Sequence, residues 1–292
     1  MIHQLNMHGK DKVQVAIERL QMFEPKDEGY YLAFSGGKDS VVIKALADMA
    51  GVKYDAHYTL TSVDPPELVK FIKTFDDVQV GVPRDKEGKR ITMWNLIVKI
   101  GMPPTRIMRY CCQYLKETQG EGRFVVTGVR WAESNKRKNN RAGLELGKHK
   151  TSRRELYDPD NPNQQLIHNC IAHARRNLNP IIDWSNEDVW EFIHEYNIPY
   201  CKLYDKGYKR LGCIGCPMST HQSEELDNNP KYKQAYIRAF QRMLDARKHD
   251  KDYYTKDWET GEDVYNWWIN LGAVGGHKRK VDEQNERMEW HR

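Results

Sequence analysis

The chain has 292 residues, of which 39% are hydrophobic and 30% are charged, and its formal net charge is +5. This length can bury a large core in one or two domains, and the composition excludes a membrane-spanning protein, because no apolar run is long enough to cross a bilayer. The opening MIHQLNMHGKDKVQVAIERL has acidic residues and no apolar signal core, so we expect a cytoplasmic protein with no membrane partner.

Strand and helix patterns alternate through the first half of the chain. Apolar residues at helical spacing predict a helix over 12–23, the run YYLAF predicts a buried strand, and a glycine turn leads into a helix over about 40–49. Further strands are predicted at YDAHYTL, VQVGVP and RFVVTGV, and further helices at PPELVKFIKTF, MWNLIVKIG and RIMRYCCQYLKETQG. This alternation predicts an α/β fold with a three-layer, mostly parallel Rossmann-like sheet.

The second half of the chain changes in composition. The segment 135–154 is dense in Lys and Arg and predicts a solvated loop within a basic insertion of about 135–175, or a surface for a polyanion. NPIIDWSNEDVWEFIHEYNIP predicts a strand and then a helix capped by Ser185. We predict one domain over 1–217 and a smaller, helical, Trp-rich C-terminal lobe over 218–292.

The glycine turn, SGGKDS at Ser35–Ser40, lies between a strand and a helix. Its backbone N–H groups point from the positive end of a helix dipole, and Gly36 and Gly37 allow those groups to approach an oxyanion closely. Lys38 supplies positive charge, and Asp39 suits a Mg²⁺ ion bridging a carboxylate and a triphosphate. The spacing matches neither the G-x-x-x-x-G-K-[ST] loop nor the G-x-G-x-x-G loop. An ordinary capped turn is the alternative.

Four of the six cysteines are paired in the sequence, as Cys111-Cys112 and Cys213-x-x-Cys216. In a reducing compartment such pairs favour metal or redox chemistry over disulfides. Four thiolates suit a tetrahedral Zn²⁺ or a four-iron four-sulfur cluster, and adjacent cysteines fit the separated corners of a cluster better than one ion. The alternative is four buried thiols. The remaining two, Cys170 and Cys201, are expected in the core.

SGGKDS after a strand resembles the PP-loop of the ATP pyrophosphatase superfamily, and three further segments resemble its PAPS reductase-like branch. These segments are SVDPPELVKFI, TGVRWAESNKR and NPIIDWSNEDVWEFIHEYNIPYCKLYDKGYKRLGCIGC. The resemblance implies a PP-loop fold and a loop that holds pyrophosphate. It places Glu67, Gly128 and Arg130 near the nucleotide or an oxyanion, although a structural salt bridge is the alternative for Arg130. The cysteine pattern resembles that of adenylylsulfate reductases, where it ligates a four-iron four-sulfur cluster.

Two departures from the reductases shift the expected function. No cysteine follows Cys216, where the reductases carry a nucleophilic one, and the glycine loop is complete, whereas theirs is usually degraded. We therefore expect an enzyme that cleaves ATP–Mg to AMP and pyrophosphate with Lys38, Asp39 and Arg130, adenylating an acceptor for cluster-assisted sulfur transfer. A nucleic-acid acceptor and a sulfur donor such as a cysteine desulfurase fit this expectation, and homo-oligomerisation stays open.

Two alternatives to this expectation remain. The first is an adenylylsulfate or phosphoadenylylsulfate reductase that uses a partner thiol, or one of Cys170 and Cys201. The second is a non-catalytic nucleotide- or nucleic-acid-binding module with a zinc site.

Overall fold

The computed structural model describes residues 1–6, 9–117, 120, 122–147, 155–157, 175–247 and 258–272. Within these ranges the chain divides into two compact units whose segments interleave along the sequence. Unit 1 comprises the described residues of 1–59, 66–81 and 119–211, and unit 2 comprises those of 60–65, 82–118 and 212–292. The boundary predicted between residues 217 and 218 lies inside unit 2, and as a statement about domains it stays a prediction.

Unit 1 is built on a seven-stranded sheet in the described part of the chain. Its strands are β1 (Tyr30–Ala33), β2 (Tyr54–Thr59), β3 (Val78–Gly81), β4 (Phe124–Val126), β5 (Leu144–Gly147), β6 (Glu155–Tyr157) and β7 (Arg175–Leu178). The spatial order is β3-β2-β1-β4-β7-β5-β6. The first five strands in this order are parallel, whereas β5 is antiparallel to β7 and β6 is antiparallel to β5. The predicted α/β fold with a mostly parallel sheet is confirmed.

Ten α-helices lie in the described ranges. They are α1 (Lys12–Met22), α2 (Lys38–Ala50), α3 (Pro66–Ile72), α4 (Met93–Ile100), α5 (Tyr110–Cys112), α6 (Asn135–Asn140), α7 (Asn186–Glu195), α8 (Gln222–Asp227), α9 (Pro230–Arg247) and α10 (Gly261–Gly272). A π-helical turn, Gln113–Glu117, continues α5, and a 3₁₀ turn, Trp131–Glu133, precedes α6.

Local capping chemistry explains where the main helices of unit 1 begin and end. A capping box between Asp11 and Gln14 starts α1, because each side chain accepts the other residue's backbone N–H. The predicted cap at Ser185 is confirmed, and it forms a second capping box with Asp188 at the start of α7. Helix α2 ends at Gly51, whose φ of +66° is the left-handed conformation that glycine adopts at little cost.

The core of unit 1 lies between the sheet and the helices packed on it. Tyr30 and Leu32 of β1 are fully buried, as are Phe124 of β4 and Val42 and Leu46 of α2. Each such side chain stabilises the fold by roughly 1.5–3 kcal/mol relative to exposure. This packing fixes the ends of β1, β4 and α2, from which the candidate site is built.

Unit 2 has its own aromatic core. Trp268 of α10 is 1% exposed, and its ring packs against Tyr236 and Phe240 of α9 at centroid distances of 4.7 and 5.3 Å. Its indole N–H donates to the Pro104 carbonyl at 2.6 Å. Trp94 of α4 meets Tyr236 edge to face at 5.0 Å. The helices predicted for the C-terminal part therefore form, and they share a core with α4.

The structure corrects two local predictions. Residues 180–183, predicted as a strand, form a turn in which Ile181 and Ile182 are buried, and the strand precedes them as β7. The basic segment, predicted as a loop, contains α6 and β5. In the part of the chain that is described, no helix combines the length and the hydropathy needed to cross a bilayer.

Candidate functional site

The glycine loop lies at the carboxyl end of β1, beside the carboxyl end of β4. From β1 the chain passes to β2 on one side of the sheet, whereas β4 lies on the other side. The order of connection therefore reverses between β1 and β4. In open α/β sheets, ligands bind in the crevice at such a switch point. Two predicted site segments meet here, namely Ser35–Ser40 and the segment that holds Gly128 and Arg130.

The loop conformation depends on Gly36, which has a φ of +70°. A Cβ at this position would lie 2.7 Å from side-chain carbons of Leu68 and Ile72, so both the backbone angle and the packing require glycine. The Ser40 hydroxyl donates to the Gly37 carbonyl at 2.8 Å, which closes the first turn of α2. The packing at Gly36 and the hydrogen bond from Ser40 to Gly37 therefore both fix the conformation of the loop backbone.

The side chains that follow the glycines form a charged cluster. The Asp39 carboxylate accepts from Arg130 Nε through Oδ1 at 2.7 Å and from Lys38 Nζ through Oδ2 at 3.3 Å. Lys38 is only 7% exposed, and this burial lowers the pKa of its ammonium despite the opposing attraction of Asp39. A buried cation at the start of a helix makes this crevice electropositive.

Arg130 is fully buried, and protein groups surround its guanidinium. Besides Asp39, it donates to the Trp184 carbonyl at 3.1 Å and to Asn186 Oδ1 at 2.9 Å. The salt bridge considered as the alternative for Arg130 is therefore the arrangement found. It links the first turn of α2, the loop after β4 and the start of α7.

Gly128 allows the close approach of the two loops. A Cβ there would lie 2.9 Å from the Cβ of Asp39 and 3.0 Å from its carbonyl carbon and oxygen. Glu67, in the first turn of α3, has a half-exposed side chain 3.6 Å from the Lys206 ammonium. Gly128 thus shapes the site directly, whereas the predicted role of Glu67 stays a prediction.

A cavity of about 400 Å³ borders Lys38, and residues that the sequence did not single out line much of it. They include Asn186, Trp190, Tyr204 and Lys209. The Tyr204 hydroxyl accepts the backbone N–H of Lys38 at 2.9 Å. The only sequence signal for Tyr204 and Lys209 is that they fall in the LYDKGYKR segment of the family resemblance, which assigns no role to either.

Basic side chains of the segment 135–154 and of the segment that holds Arg210 add to the positive charge of unit 1. Burial and the charges of Arg210 and Arg141 lower the pKa of Arg137 to about 10. Arg137 also forms an ion pair with Glu133, which in turn accepts the Arg130 backbone N–H at 3.1 Å. Part of the predicted basic segment therefore lies near the glycine-loop site.

The four paired cysteines all belong to unit 2, and their thiols influence one another. The Cys111 thiol hydrogen-bonds to the Cys112 sulfur, which also accepts from Arg109 at 3.5 Å, and the pKa of Cys112 falls to about 5. The same bond, with burial and the charges of Cys112, Cys213 and Cys216, raises the pKa of Cys111. Cys213 Sγ lies 3.6 Å from the Thr61 hydroxyl oxygen.

The fit of these cysteines to a metal group is partial. Four thiols in one unit, two of them on a tight turn in which Gly215 has a φ of +72°, are the donor set of a thiolate-bound group. Among the described side chains, however, no three His, Cys, Asp or Glu residues form a group that could hold a metal ion. Ligation by Cys111, Cys112, Cys213 and Cys216 therefore stays a prediction.

The other two cysteines give less information. Cys201 is 1% exposed in unit 1, in agreement with the predicted core role, and burial raises the pKa of its thiol. Cys170 lies outside the described residues.

A known protein family matches most of this chain. The family model of the phosphoadenosine phosphosulfate reductase domain matches residues 29–219. The chain belongs to this family. Its glycine loop, the Gly128–Arg130 segment and Cys213–Cys216 all fall within the matched residues.

The individual relatives share limited sequence identity with this chain or match only a short part of it. Uncharacterized protein MJ0973 of Methanocaldococcus jannaschii is 27% identical over 258 residues, which are 83% of this chain and 54% of that protein. The chain thus spans about half the length of that relative. The adenosine 5'-phosphosulfate reductase of Oceanobacillus iheyensis is 44% identical over 46 residues, 16% of this chain and 19% of the reductase. A phosphate complex of phosphoadenylyl-sulfate reductase from Candida auris covers 68% of this chain and 87% of its own, with 16% identity and a TM-score of 0.44.

Proposed function

We propose that this member of the family binds ATP–Mg and cleaves it to AMP and pyrophosphate in order to adenylate an acceptor. One observation carries the proposal. A complete SGGKDS loop lies at the switch point of the sheet, with a buried lysine at the start of α2. Such a loop can hold the two phosphates that leave together, and stabilisation of their developing charge would be the main catalytic contribution.

The roles we propose follow from the contacts of each side chain. The Ser35–Ser40 loop would hold the β and γ phosphates through backbone N–H groups such as those of Gly36 and Asp39 and through the Lys38 ammonium, because the Lys38 N–H and the Ser40 hydroxyl already donate to Tyr204 and Gly37. Asp39 would bind the Mg²⁺ ion that accompanies ATP. Each oxygen of its carboxylate accepts one bond from a cation, which leaves lone pairs for a metal ion. Arg130 is fully buried, so we propose that it positions Asp39 and does not touch the nucleotide.

We further propose that the adenylated product is an intermediate in sulfur transfer. An oxygen of the acceptor would attack the α phosphate as pyrophosphate leaves, and the terminal sulfur of a persulfide on a donor protein such as a cysteine desulfurase would then attack the activated carbon as AMP leaves with that oxygen. An external dithiol would reduce the resulting disulfide, which leaves sulfide-level sulfur on the acceptor and a free cysteine on the donor. Cys111, Cys112, Cys213 and Cys216 would hold an iron–sulfur cluster, which when bound would supply sulfur or electron chemistry, or stabilise unit 2.

A nucleic-acid acceptor is supported by the charges near the site. The charges of Arg141 and Arg210 both act on Arg137, as expected of a basic surface that contacts phosphates. Glu133 and Glu145 form ion pairs with Arg137 and Arg141, so Arg210 is the arginine of the three that these two glutamates leave unneutralised. The tryptophans of the C-terminal part give no such support. Trp268 is buried in the core of unit 2, where Trp258 and Trp267 also pack, and Trp290 lies outside the described residues.

The decisive assay measures pyrophosphate from ATP and Mg²⁺ across candidate acceptors, including RNA and DNA. We expect acceptor-dependent pyrophosphate from the wild type and a loss of roughly 10²–10³-fold in Asp39→Ala, because the substitution removes the proposed Mg²⁺ ligand. Asp48→Ala is the matched control, since Asp48 lies on the same helix and its exposed side chain bonds, among the described residues, to Lys44 and Tyr54. Pyrophosphate release that is equal in the two variants would exclude the proposed role of Asp39.

The reductase alternative is supported by the short match to an adenosine 5'-phosphosulfate reductase and is tested in the same preparation. Sulfite release from adenylylsulfate with thioredoxin, in the absence of any pyrophosphate from ATP, would overturn our proposal.

Measurement of iron and acid-labile sulfide in anaerobically purified protein tests the proposed cluster. We expect Cys216→Ser to lose iron and Cys201→Ser to retain it, whereas zinc without iron would favour the binding-module alternative.

A further inference from the structure

Basic and amide side chains are among the residues that line the cavity beside Lys38. Lys38 and Lys209 carry ammonium groups, the first of which also donates to Asp39, and Asn186 carries an amide whose oxygen accepts from Arg130. The amide nitrogen of Asn186 is therefore the part of that side chain left to meet a ligand. A pocket in which donors outnumber acceptors is complementary to an oxyanion.

Tyr204 occupies a particular position among these donors. Its hydroxyl oxygen accepts the N–H of Lys38, which is one of the loop groups that would otherwise face a phosphate. The same hydroxyl carries a proton, and among the described residues it donates no hydrogen bond, although the Asp39 carboxylate lies near enough for its charge to act on the phenol. Burial raises the pKa of the phenol, so the proton is retained at neutral pH.

The ring of Tyr204 is held in place by its neighbours. Trp190 meets it edge to face at 5.1 Å with an interplanar angle of 85°. Its oxygen would lie 3.5 Å from a Cβ on Gly37, in contact with the loop itself. The hydroxyl therefore needs no rearrangement of the ring to reach a group bound at the loop.

We propose that Tyr204 is an oxyanion-binding residue of this site: its hydroxyl accepts the Lys38 N–H and donates its own proton to a phosphate oxygen in the cavity. This inference rests on the proposed use of the site for a phosphate-bearing ligand. The loop N–H groups and the lysines attract negative charge from several directions, whereas a phenol donates along one. Tyr204 thus fixes the orientation of the phosphate group that the loop retains.

Calorimetric titration of the full chain with inorganic pyrophosphate, and separately with sulfate, tests the proposal. A hydrogen bond to a charged group has a strength that predicts a loss of roughly 10-fold or more in pyrophosphate affinity for Tyr204→Phe. Tyr200→Phe is the matched control, because Tyr200 belongs to the same aromatic cluster but donates to Asp205 at 3.0 Å. We expect the pyrophosphate affinity of Tyr200→Phe to equal that of the wild type, and the melting temperatures of both variants to fall by a similar, small amount, because each variant loses one hydrogen bond.

Several results would overturn the inference. Equal affinity in Tyr204→Phe would show that the hydroxyl does not contact the anion, and tighter binding would show that it obstructs the site. A wild-type chain that binds neither anion would also refute it, as would a fall in melting temperature that accounts for the lost affinity. If anion binding depends on Tyr204 but ATP gives no pyrophosphate, only the proposed ATP cleavage fails. If pyrophosphate is released and Tyr204→Phe binds like the wild type, only this inference fails.

Discussion

Replacing Gly128 by alanine tests the close approach of the two loops that form the site. The added Cβ would lie 2.9–3.0 Å from three atoms of Asp39, and two of these belong to its backbone. Carbon atoms in favourable contact are about 3.5–4.0 Å apart, so the overlap is roughly 0.5–1 Å. Backbone atoms in the first turn of α2 cannot rotate away, and the loop after β4 or the start of α2 must therefore move.

We expect Gly128→Ala to reduce the free energy of unfolding by roughly 1–3 kcal/mol, the usual cost of overpacking. With a urea m-value of about 2–3 kcal/mol/M, the unfolding midpoint would fall by about 0.3–1.5 M. The displacement would also separate Asp39 from Arg130, which are now 2.7 Å apart. Because the start of α2 also carries the Lys38 ammonium, its displacement should weaken a charged hydrogen bond to pyrophosphate and reduce the affinity by roughly 10-fold.

The matched control is Gly212→Ala, because no atom lies within 4 Å of a Cβ added at Gly212. Both substitutions restrict the unfolded chain to a similar extent, so their difference isolates the steric effect. Urea unfolding curves and pyrophosphate titrations of the two variants provide the measurement. A Gly128→Ala variant with the midpoint and affinity of Gly212→Ala would refute our account of the loop contact.

Three further predictions concern unit 1. Arg130→Met should lower the free energy of unfolding by about 2–4 kcal/mol. In a double-mutant cycle measured by urea unfolding, Arg130→Met and Asp39→Asn together should lower it by less than the sum of their separate effects. Strictly additive effects would contradict a coupling between the two side chains. Burial opposes ionisation of Asp188, but hydrogen bonds from Lys12 and the Ser185 N–H outweigh it and hold its pKa below the usual range. The Asp188 carboxylate therefore stabilises the fold above about pH 4, and this stabilisation is lost as the pH falls further. The urea midpoints of the wild type and Asp188→Asn should differ more at pH 7 than at pH 3. An equal difference at the two pH values would show that the ionised carboxylate is not the source of the stabilisation. Ser185→Ala should reduce the free energy of unfolding by about 0.5–2 kcal/mol through loss of the capping box, whereas an unchanged midpoint would show that α7 does not need the cap.

Local sequence determined the features that local chemistry can specify. The glycine loop was predictable because Gly36 must adopt a positive φ between a strand and a helix. The cap at Ser185 was predictable because a serine with an acidic residue three positions later satisfies both exposed N–H groups. In both features the interacting residues lie a few positions apart, so a short sequence pattern includes all of them.

The features that were missed depend on residues distant in sequence. Tyr204 reaches Lys38 only after α7 and the following turns have packed beside the loop, and no short pattern encodes that contact. The buried position of Arg130 likewise requires Trp184 and Asn186. Ile181 and Ile182 were mistaken for a strand because a buried turn and a buried strand can share the same apolar composition.

The interleaving of the two units has a consequence for any attempt to divide the protein. The chain passes between the units five times, at 59/60, 65/66, 81/82, 118/119 and 211/212. A fragment ending at residue 217 would therefore contain all of unit 1 but would leave α4 without α9 and α10, its partners in the aromatic core. During synthesis, unit 1 has its complete sequence first, whereas Cys111 and Cys112 must wait for Cys213 and Cys216 to emerge. Delivery of the proposed metal group to all four cysteines is thus restricted to the period after about three quarters of the chain has been made.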